Sequence, residues 1–205
     1  MTIRICVTGG IACGKSLVAG FLEEAGIPVI DADEVCHDLM RPGRPEHARI
    51  VAAFGPQALS ADGEIDRARL GRVVFGSAAR KAELEAILHP AAGRVIEAWL
   101  AGHPGAPLLS AVVPLVYEAG WESKWDFIVC VAAPACLQLD RLAARGLSPE
   151  DAGARLAAQM PVEEKMRRAD RVIFNAGPVA LARQQTIALI EGFNEQGEIS
   201  NGRQA

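Results

Sequence analysis

The sequence lacks the features of membrane, secreted and nucleic-acid-binding proteins. No apolar run reaches the roughly 18 residues that a membrane-spanning helix needs, and the longest, Leu108 to Tyr117, is interrupted by Ser110 and Pro114. No basic-then-apolar signal pattern opens the chain. The net charge of −4 disfavours a general role in nucleic-acid binding. We therefore expect a cytoplasmic protein whose partners include neither a membrane nor a nucleic acid.

Cysteine is too sparse and too irregularly spaced for a disulfide framework or a zinc site. The five cysteines are odd in number and include no CxxC pair. Three of them, Cys6, Cys130 and Cys136, lie in apolar stretches. We expect these three to be small residues of the hydrophobic core.

Hydrophobic periodicity predicts strands that alternate with helices. The predicted strands cover residues 3–8, 27–30, 108–113, 127–132 and 172–174, and the clearest predicted helices cover 15–25, 135–144 and 178–193. Such alternation is typical of an α/β protein with a parallel sheet covered by helices on both faces.

A change of character divides the chain into a core and an insertion. Residues 1–40 and 106–195 form the predicted core, which includes a helical lid at about 138–168. Residues 41–105 are expected to form an inserted, mainly helical lobe. Two of its short helices cover 83–88 and 91–101, with a bend at Pro90 between them. The polar tail, 196–205, is expected to be frayed.

A glycine-rich loop lies between the first predicted strand and the first predicted helix. Its sequence, Gly9-Gly10-Ile11-Ala12-Cys13-Gly14-Lys15-Ser16, matches the phosphate-loop pattern G-x-x-x-x-G-K-[ST], and Leu17 follows it. Glycines let the backbone wrap closely round phosphate oxygens, and the next helix adds the positive end of its dipole. We expect Gly9 to Leu17 to bind ATP, with Lys15 on the β- and γ-phosphates and Ser16 on Mg²⁺.

Lysine is scarce, which favours a functional role for the lysine of this loop. Of 21 basic residues only four are lysines, and the other 17 are arginines. Lys15 is therefore the residue of the loop that we expect to act in catalysis as well as in binding.

Two aspartates follow the second predicted strand. Asp31-Ala32-Asp33 lies where the carboxyl ends of parallel strands face the ligand crevice. A carboxylate there can accept the proton of an attacking hydroxyl and orient it toward the γ-phosphorus. We predict that Asp33 is the catalytic base, and also that it caps a helix that runs through Met40.

Three classes of phosphate-loop protein compete for this sequence. A GTPase needs an Asn-Lys-x-Asp motif and an Asp-x-x-Gly switch, and the sequence has neither. A transport or motor ATPase usually carries an acidic residue at the end of a second strand, whereas the predicted strands that end at Val113 and Ala132 end without one. A kinase that phosphorylates a small molecule remains.

The chain resembles the dephospho-coenzyme A kinase family from Ile3 to about Gly177. The resemblance depends on motifs that follow one another in a fixed order. They are Thr8-Gly9-Gly10-Ile11 leading into Gly14-Lys15-Ser16, Val29-Ile30-Asp31-Ala32-Asp33, Leu88-His89-Pro90, Pro114-Leu115-Val116-Tyr117-Glu118, Gln138 with Arg141 and Arg145, Gln159-Met160, and Ala169-Asp170. The phosphate loop alone specifies only the superfamily, whereas the Asp-Ala-Asp and Leu-His-Pro motifs narrow the match.

The resemblance implies the last step of coenzyme A synthesis. ATP would phosphorylate the ribose 3′-hydroxyl of dephospho-coenzyme A, on a phosphate-loop NTPase fold with a helical acceptor-binding lobe and a lid. Arg141 and Arg145 are expected to be lid residues that neutralise the transferring phosphate, Arg141 in the catalytic set with Lys15 and Asp33, and Arg145 on ATP. The residues expected to contact the acceptor are Asp33, His89, Pro90, Leu115 and Glu118.

Three positions depart from the family pattern. Ala12-Cys13 stands where the loop often reads Gly-Ser. Cys13 lies near Lys15 and a helix N-terminus, which can lower a thiol pKa. One hypothesis is a lowered pKa and an oxidation that ATP prevents, and the alternative is a small neutral residue. The lid segment after Arg145 is one residue shorter than usual, and Phe174 replaces an Asp. These two changes leave the reach of Arg145 and any polar contact at position 174 open.

Two alternatives also stay open. The chain could be another small-molecule kinase, such as a nucleoside monophosphate kinase, or a regulatory nucleotide-binding protein that hydrolyses ATP slowly. Dependence of phosphate transfer on an acceptor distinguishes an enzyme of the first kind from a regulator. The oligomeric state is left open by the sequence.

Overall fold

The structure is a computed structural model that describes residues 2–75 and 77–202. The chain forms two compact units, the first from residues up to 30 and from 103 onward, and the second from residues 31–102. The second unit begins at Asp31, earlier than the insertion expected at residue 41. The difference arises because the helix after the second strand packs against a long helix of the second unit.

The secondary structure consists of strands and helices that alternate in the first unit and of helices that follow one another in the second. The strands are β1 (Ile3–Gly9), β2 (Val29–Asp31), β3 (Leu108–Val112), β4 (Phe127–Ala132) and β5 (Arg171–Phe174). The helices are α1 (Lys15–Glu24), α2 (Ala32–Leu39), α3 (Pro45–Phe54), α4 (Arg67–Phe75), α5 (Ala78–Ala101), α6 (Ala135–Ala143), α7 (Pro149–Ala157), α8 (Val162–Arg168) and α9 (Val179–Gly202).

The five strands form one sheet in the order β2-β3-β1-β4-β5. β1 pairs in parallel with β3 and β4, and β4 pairs in parallel with β5. Five successive residues of β1, from Ile5 to Gly9, are buried, and so are Ile128 to Ala132 of β4. Because successive side chains of a strand point to opposite faces, both faces of the sheet are covered at its centre. The predicted α/β class with a parallel, two-sided sheet is confirmed.

The core of the first unit lies around the central strands. Val7 faces Val112 on one side and Val129 on the other in the strand register, and all three are buried. Helix α1 contributes the fully buried Val18 and Leu22 to this cluster. The apolar β1 and α1 thereby fix the two ends of the glycine-rich loop that joins them.

The edge strand β5 has one protected position. The Phe174 N–H donates to the side-chain oxygen of Gln185 on α9 at 2.9 Å, and the Gln185 amide donates back to the Phe174 carbonyl at 3.2 Å. The next residue, Asn175, points its N–H the other way, to the Ala132 carbonyl of β4 at 2.7 Å. Backbone groups at the end of β5 are thus satisfied on both sides.

The second unit is built on one long helix. Helices α2, α3 and α4 all pack against α5, and its buried side includes Ile87, Leu88, Ile96 and Leu100. The prediction of two short helices with a bend at Pro90 is wrong, because α5 continues through Pro90 without interruption. Apolar contacts on both sides of the proline offset the hydrogen bond that its missing N–H cannot make.

The C-terminal helix is also longer than the sequence predicts. α9 continues to Gly202, so residues 196–202 are helical rather than frayed, and 203–205 lie outside the described residues. None of the helices in the described part of the chain combines the length and the apolar character that crossing a membrane requires.

Candidate active site

The glycine-rich loop has a backbone that only glycine permits at its two ends. Gly9 adopts a φ of 145°, and a Cβ there would lie 2.1 Å from the Val131 carbonyl oxygen. Gly14 adopts a φ of 100°, in the left-handed region, and is the N-cap of α1. The loop therefore presses against β4 at its start and turns directly into the helix at its end. In that first turn the N–H groups of Leu17 and Val18 donate to the Gly14 carbonyl at 3.1 and 3.2 Å, and the positive end of the helix dipole there attracts an anion.

The Lys15 ammonium lies over the start of the loop. Its Nζ donates to the Gly9 carbonyl at 3.2 Å and to the Gly10 carbonyl at 2.9 Å. Ser16 follows in the first turn of α1 and is exposed. The ammonium, the hydroxyl and the helix N-terminus thus share the space that the loop encloses, which is the arrangement that a polyphosphate requires.

Two side chains hold the loop from its outer side. Arg141 on α6 donates through Nη1 to the Ala12 carbonyl at 3.0 Å. Asn175, directly after β5, donates through Nδ2 to the Cys13 carbonyl at 2.8 Å. Arg141 also donates through Nη2 to the Asn175 carbonyl at 2.9 Å, which links the two supports. Both Ala12 and Cys13 are buried, so these carbonyls depend on protein donors.

The two arginines expected in the lid occupy different environments. The Arg141 guanidinium is partly buried against the loop, so in this structure it holds backbone carbonyls and not an open anion site. Arg145 is exposed, between the end of α6 and the start of α7, and is followed by Gly146 with a φ of 83°. The structure therefore brings Arg141, and not Arg145, into contact with the glycine-rich loop.

An ion pair with a fully buried lysine connects the segment after β3 to α8. The side chain of Lys165 is fully buried, and its Nζ lies 2.9 Å from Glu118 Oε1 and donates to the Pro114 carbonyl at 2.6 Å. Thr8, at the end of β1, donates its hydroxyl to the same carbonyl at 3.1 Å. Glu118 also accepts the Met160 N–H at 3.0 Å. Glu118 and Lys165 therefore link the segment between α7 and α8 to the Pro114 carbonyl, which Thr8 of β1 also contacts. β1 is the strand that leads into the glycine-rich loop.

Glu118 was predicted to contact an acceptor substrate, and the structure gives its carboxylate two partners within the protein. Both Lys165 and the Met160 N–H occupy it. Leu115, its neighbour in the predicted acceptor set, is half-buried after β3. These contacts do not test the predicted role in acceptor binding, so Glu118 and Leu115 both stay predicted acceptor contacts.

A cleft of about 340 Å³ opens beside the glycine-rich loop. Gly10 and Ile11 form one wall, and residues of α6, α7 and the α7–α8 turn form the rest, including Gln138, Gln159 and Met160. The Gln159 side-chain oxygen is buried and has no hydrogen-bond partner within the described residues. A buried acceptor without a donor is costly unless a ligand or water supplies one. Gln159 therefore brings an unsatisfied buried acceptor to a residue that lines the cleft.

The cysteines differ from two sequence-based expectations. Cys13 is fully buried, and burial raises the pKa of its thiol above the usual value, although the charges of Lys15 and Arg141 act in the opposite direction. The prediction of a lowered pKa at Cys13 is therefore wrong, since desolvation outweighs the nearby cations. Cys6 and Cys130 are buried as expected, whereas Cys136 is exposed on α6.

The other predicted residues lie in the second unit. Asp33 is exposed in the first turn of α2, two residues after β2 ends. The prediction that Asp33 caps this helix is wrong. Asp31 is the cap, because its Oδ1 accepts the Asp33 N–H at 2.8 Å. His89 is half-buried and Pro90 exposed, next to each other on α5.

Sequence reasoning gave no role to three of the residues that support the loop. Asn175, Lys165 and Thr8 each bond a main-chain group far away in the sequence. Two of them had a usable signal, since Asn175 and Thr8 stand at the carboxyl ends of parallel strands, where ligand sites gather. Lys165 offered only its rarity, as one of four lysines.

The comparisons with known proteins agree with this geometry. The sequence model of the family described as "Dephospho-CoA kinase" matches residues 3–180. A curated dephospho-CoA kinase of Geobacillus kaustophilus is 43% identical over 197 residues, which cover 95% of this chain and 98% of the relative. One of Symbiobacterium thermophilum is 47% identical over 189 residues, which cover 90% of this chain and 78% of the relative.

Solved structures extend the likeness to three dimensions. A Thermus thermophilus crystal structure matches with a TM-score of 0.82 at 36% identity, over 93% of this chain and 97% of the other. A dephospho-CoA kinase from Campylobacter jejuni matches with a TM-score of 0.68 at 30% identity, over 99% of this chain and the whole of the other. A shikimate kinase from Acinetobacter baumannii, at 15% identity and a TM-score of 0.52, shares the fold.

Proposed function

The chain belongs to the dephospho-CoA kinase family, and we propose that it transfers the γ-phosphoryl group of ATP to the ribose 3′-hydroxyl of dephospho-coenzyme A. The products are coenzyme A and ADP. The observation that carries the chemistry is the glycine-rich loop with the Lys15 ammonium at 2.9 Å from the Gly10 carbonyl. That loop supplies positive charge and backbone N–H groups where a polyphosphate develops negative charge, and the family supplies the acceptor.

The proposed phosphate site divides its work between backbone and side chains. The N–H groups from Gly9 to Ser16 orient the β- and γ-phosphates. When ATP binds, the Lys15 ammonium leaves the Gly9 and Gly10 carbonyls and contacts the oxygens of these phosphates. Leu17 continues the helix whose N-terminus faces the phosphates. Arg145 is proposed to meet the nucleotide from the lid, and Arg141 to hold the loop while it does so.

Mg²⁺ fits the residues present. Among the residues that the structure describes, no group of three or more His, Cys, Asp or Glu could hold a metal ion. Mg²⁺ commonly binds kinases through few protein ligands, with phosphate oxygens and water as the others. The exposed Ser16 hydroxyl, next to Lys15, is the proposed protein ligand. When bound, the ion neutralises charge on the transferring phosphoryl group.

Asp33 is the proposed catalytic base. Its carboxylate is exposed in the first turn of α2, so it can accept a hydrogen bond from an incoming hydroxyl. As the hydroxyl oxygen forms its bond to the γ-phosphorus, the proton passes to Asp33 and the bond to the ADP oxygen breaks. Transfer is direct and in line, without a phosphoenzyme.

The second unit is the proposed acceptor-binding lobe and offers His89 and Pro90 on α5. In the first unit, Leu115 and the cleft beside Gly10 are proposed to receive part of a bound substrate. Closure of α6 to α8 as a lid would then exclude water from the phosphoryl group. We place this reaction in the cytoplasm, as befits a family of biosynthetic enzymes.

Incubation of the pure protein with Mg-ATP and dephospho-coenzyme A tests the proposal. The expected product is coenzyme A, identified by its mass and by its use in an enzyme reaction that requires the 3′-phosphate. Transfer to AMP or another nucleoside monophosphate instead would identify a different small-molecule kinase. ATP hydrolysis at the same slow rate with every acceptor would identify a regulatory protein, and either result would overturn the assignment.

Two variants test the proposed roles within the site. Lys15→Ala should lower turnover by orders of magnitude, since it removes a charge that acts on the transferring group. Asp33→Asn should still bind ATP, as measured by calorimetry, and lose transfer. A near-normal rate for Asp33→Asn would exclude it as the base.

A further inference from the structure

Asn175 is the most constrained polar side chain behind the phosphate loop. Its residue is 5% exposed, and its side-chain Nδ2 donates to the Cys13 carbonyl at 2.8 Å. The same nitrogen fills the space beside Gly14, where a Cβ would lie 2.2 Å from it. A single amide therefore bonds one loop residue and packs on the next.

The position of Asn175 is itself fixed by two backbone bonds. Its N–H donates to the Ala132 carbonyl at the end of β4 at 2.7 Å. Its carbonyl accepts Arg141 Nη2 at 2.9 Å, and the other arm of that guanidinium donates to the Ala12 carbonyl at 3.0 Å. Asn175, directly after β5, and Arg141, on α6, thus hold two neighbouring loop carbonyls through two donors.

The loop requires such support because its backbone is strained. Ala12 has a φ of 56°, a left-handed conformation that is unfavourable for a residue with a Cβ, and Gly14 has a φ of 100°. A loop that turns its N–H groups inward turns carbonyls outward, and these carbonyls need donors when they are buried. The two donors held outside the loop, Arg141 on α6 and Asn175 after β5, favour the strained form over other loop conformations.

We propose that Asn175 is a positioning residue for ATP, which holds the phosphate loop in its binding conformation before the nucleotide arrives. This rests on the proposed function only in that the loop binds ATP. Asn175 does not touch the phosphates in this scheme, and acts through the Cys13 carbonyl and the surface of Gly14. Loss of its amide lets the loop populate other conformations, so part of the binding free energy is used to order it again.

The test compares ATP binding by three variants. In Asn175→Ala the Cys13 carbonyl loses its donor, and the dissociation constant for ATP is expected to rise about tenfold, the effect of one buried hydrogen bond. The KM for dephospho-coenzyme A and the kcat at saturating ATP should change less than twofold. Gln185→Ala is the matched control, because it removes a carboxamide that also bonds the backbone at the end of β5 but does not reach the loop.

Asn175→Asp provides a second variant of nearly identical shape. At neutral pH its carboxylate faces the Cys13 carbonyl without a donor, so ATP binding should be weaker than in Asn175→Ala. As the pH falls, the carboxyl group gains an O–H that can replace the lost N–H. The ratio of its ATP dissociation constant to that of the unaltered protein should therefore decrease with decreasing pH, whereas the same ratio for Asn175→Ala should stay constant.

The outcomes separate positioning from simple stabilisation. A residue that only stabilises the fold would lower Tm and the active fraction of both Asn175→Ala and Gln185→Ala, with no change in ATP affinity, and this result would overturn the proposal. A pH-independent ratio for Asn175→Asp would also overturn it. Because ATP binding is measured without an acceptor, failure of the protein to phosphorylate dephospho-coenzyme A would leave this test intact.

Discussion

Replacement of Lys165 by methionine should destabilise the protein more than any surface ion-pair substitution. Lys165 is fully buried and donates to the Pro114 carbonyl at 2.6 Å, while Glu118 lies 2.9 Å away. Methionine keeps the length and the apolar stem of lysine but removes the charge and the donors. Thr8 still bonds the Pro114 carbonyl in the variant, so the carbonyl keeps one partner.

The expected loss in the free energy of unfolding depends on the Glu118 carboxylate, which the variant leaves without its lysine partner. Removing one partner of a buried ion pair costs about 3–5 kcal/mol when the other charge stays buried. The Glu118 side chain is 22% exposed, and it keeps the Met160 N–H, so water can rehydrate part of the carboxylate. We therefore expect a loss of about 2–3 kcal/mol, which lowers Tm by roughly 5–10 °C in a chain of this length.

Thermal and denaturant unfolding, followed by circular dichroism, measure this loss. The matched control is Lys81→Met, whose pair with Glu85 is 3.8 Å long with side chains 39% and 34% exposed, and which should cost less than about 1 kcal/mol. Adding Glu118→Gln to the Lys165→Met variant should lower the free energy of unfolding little further, since the ion pair is already broken. A Tm drop at Lys165→Met no larger than that of the control would refute the reasoning.

Three further predictions concern the backbone at Gly9, the proline within α5 and the thiol of Cys13. Gly9→Ala should abolish ATP binding in calorimetry, because its Cβ would meet a β4 carbonyl oxygen at 2.1 Å; binding at the original affinity would contradict this. Pro90→Ala should raise Tm by several degrees, since it restores a helical N–H at an exposed position. Cys13 should be alkylated far more slowly than the exposed Cys136 at neutral pH, with a rate that rises as the pH is raised, because burial raises the pKa of its thiol; peptide mass spectrometry measures both.

The elements closest to local sequence signals could be predicted well. The strand before the glycine-rich loop and the helix after it begin where predicted, at Ile3 and Lys15, and each ends one residue from its predicted end, because an apolar run, a glycine pattern and a helical period are all local. The same holds for β4, predicted and observed at Phe127 to Ala132. These elements place Lys15 and Ser16 correctly without any knowledge of the rest of the chain.

The support behind the loop could not be predicted, because it depends on strand order. Asn175 and Cys13 are 162 positions apart, and Lys165 and Pro114 are 51 apart. They meet only in a sheet with the order β2-β3-β1-β4-β5, which strand and helix periodicity does not specify. A local pattern can therefore identify the loop and still miss the residues that hold it.

The wrong predictions at Cys136 and Pro90 have separate physical causes. Cys136 lies in an apolar stretch, but it is two residues before the buried Gln138 on α6, about 200° away round the helix. Apolar neighbours alone did not reveal which side of the helix it takes. At Pro90 a local rule predicted a break, and the buried residues on both sides of the proline outweighed it.

The carboxamide of Gln185 has a consequence for how these molecules behave at high concentration. An outermost strand whose N–H and C=O groups are open can recruit a strand from a neighbouring molecule and begin sheet-like aggregation. At Phe174 both groups are already engaged by Gln185, even though the aromatic ring there is 46% exposed. A strand of a neighbouring molecule that contacts the exposed Phe174 ring cannot hydrogen-bond to the Phe174 backbone. High protein concentration should therefore not add a strand to the sheet at that point.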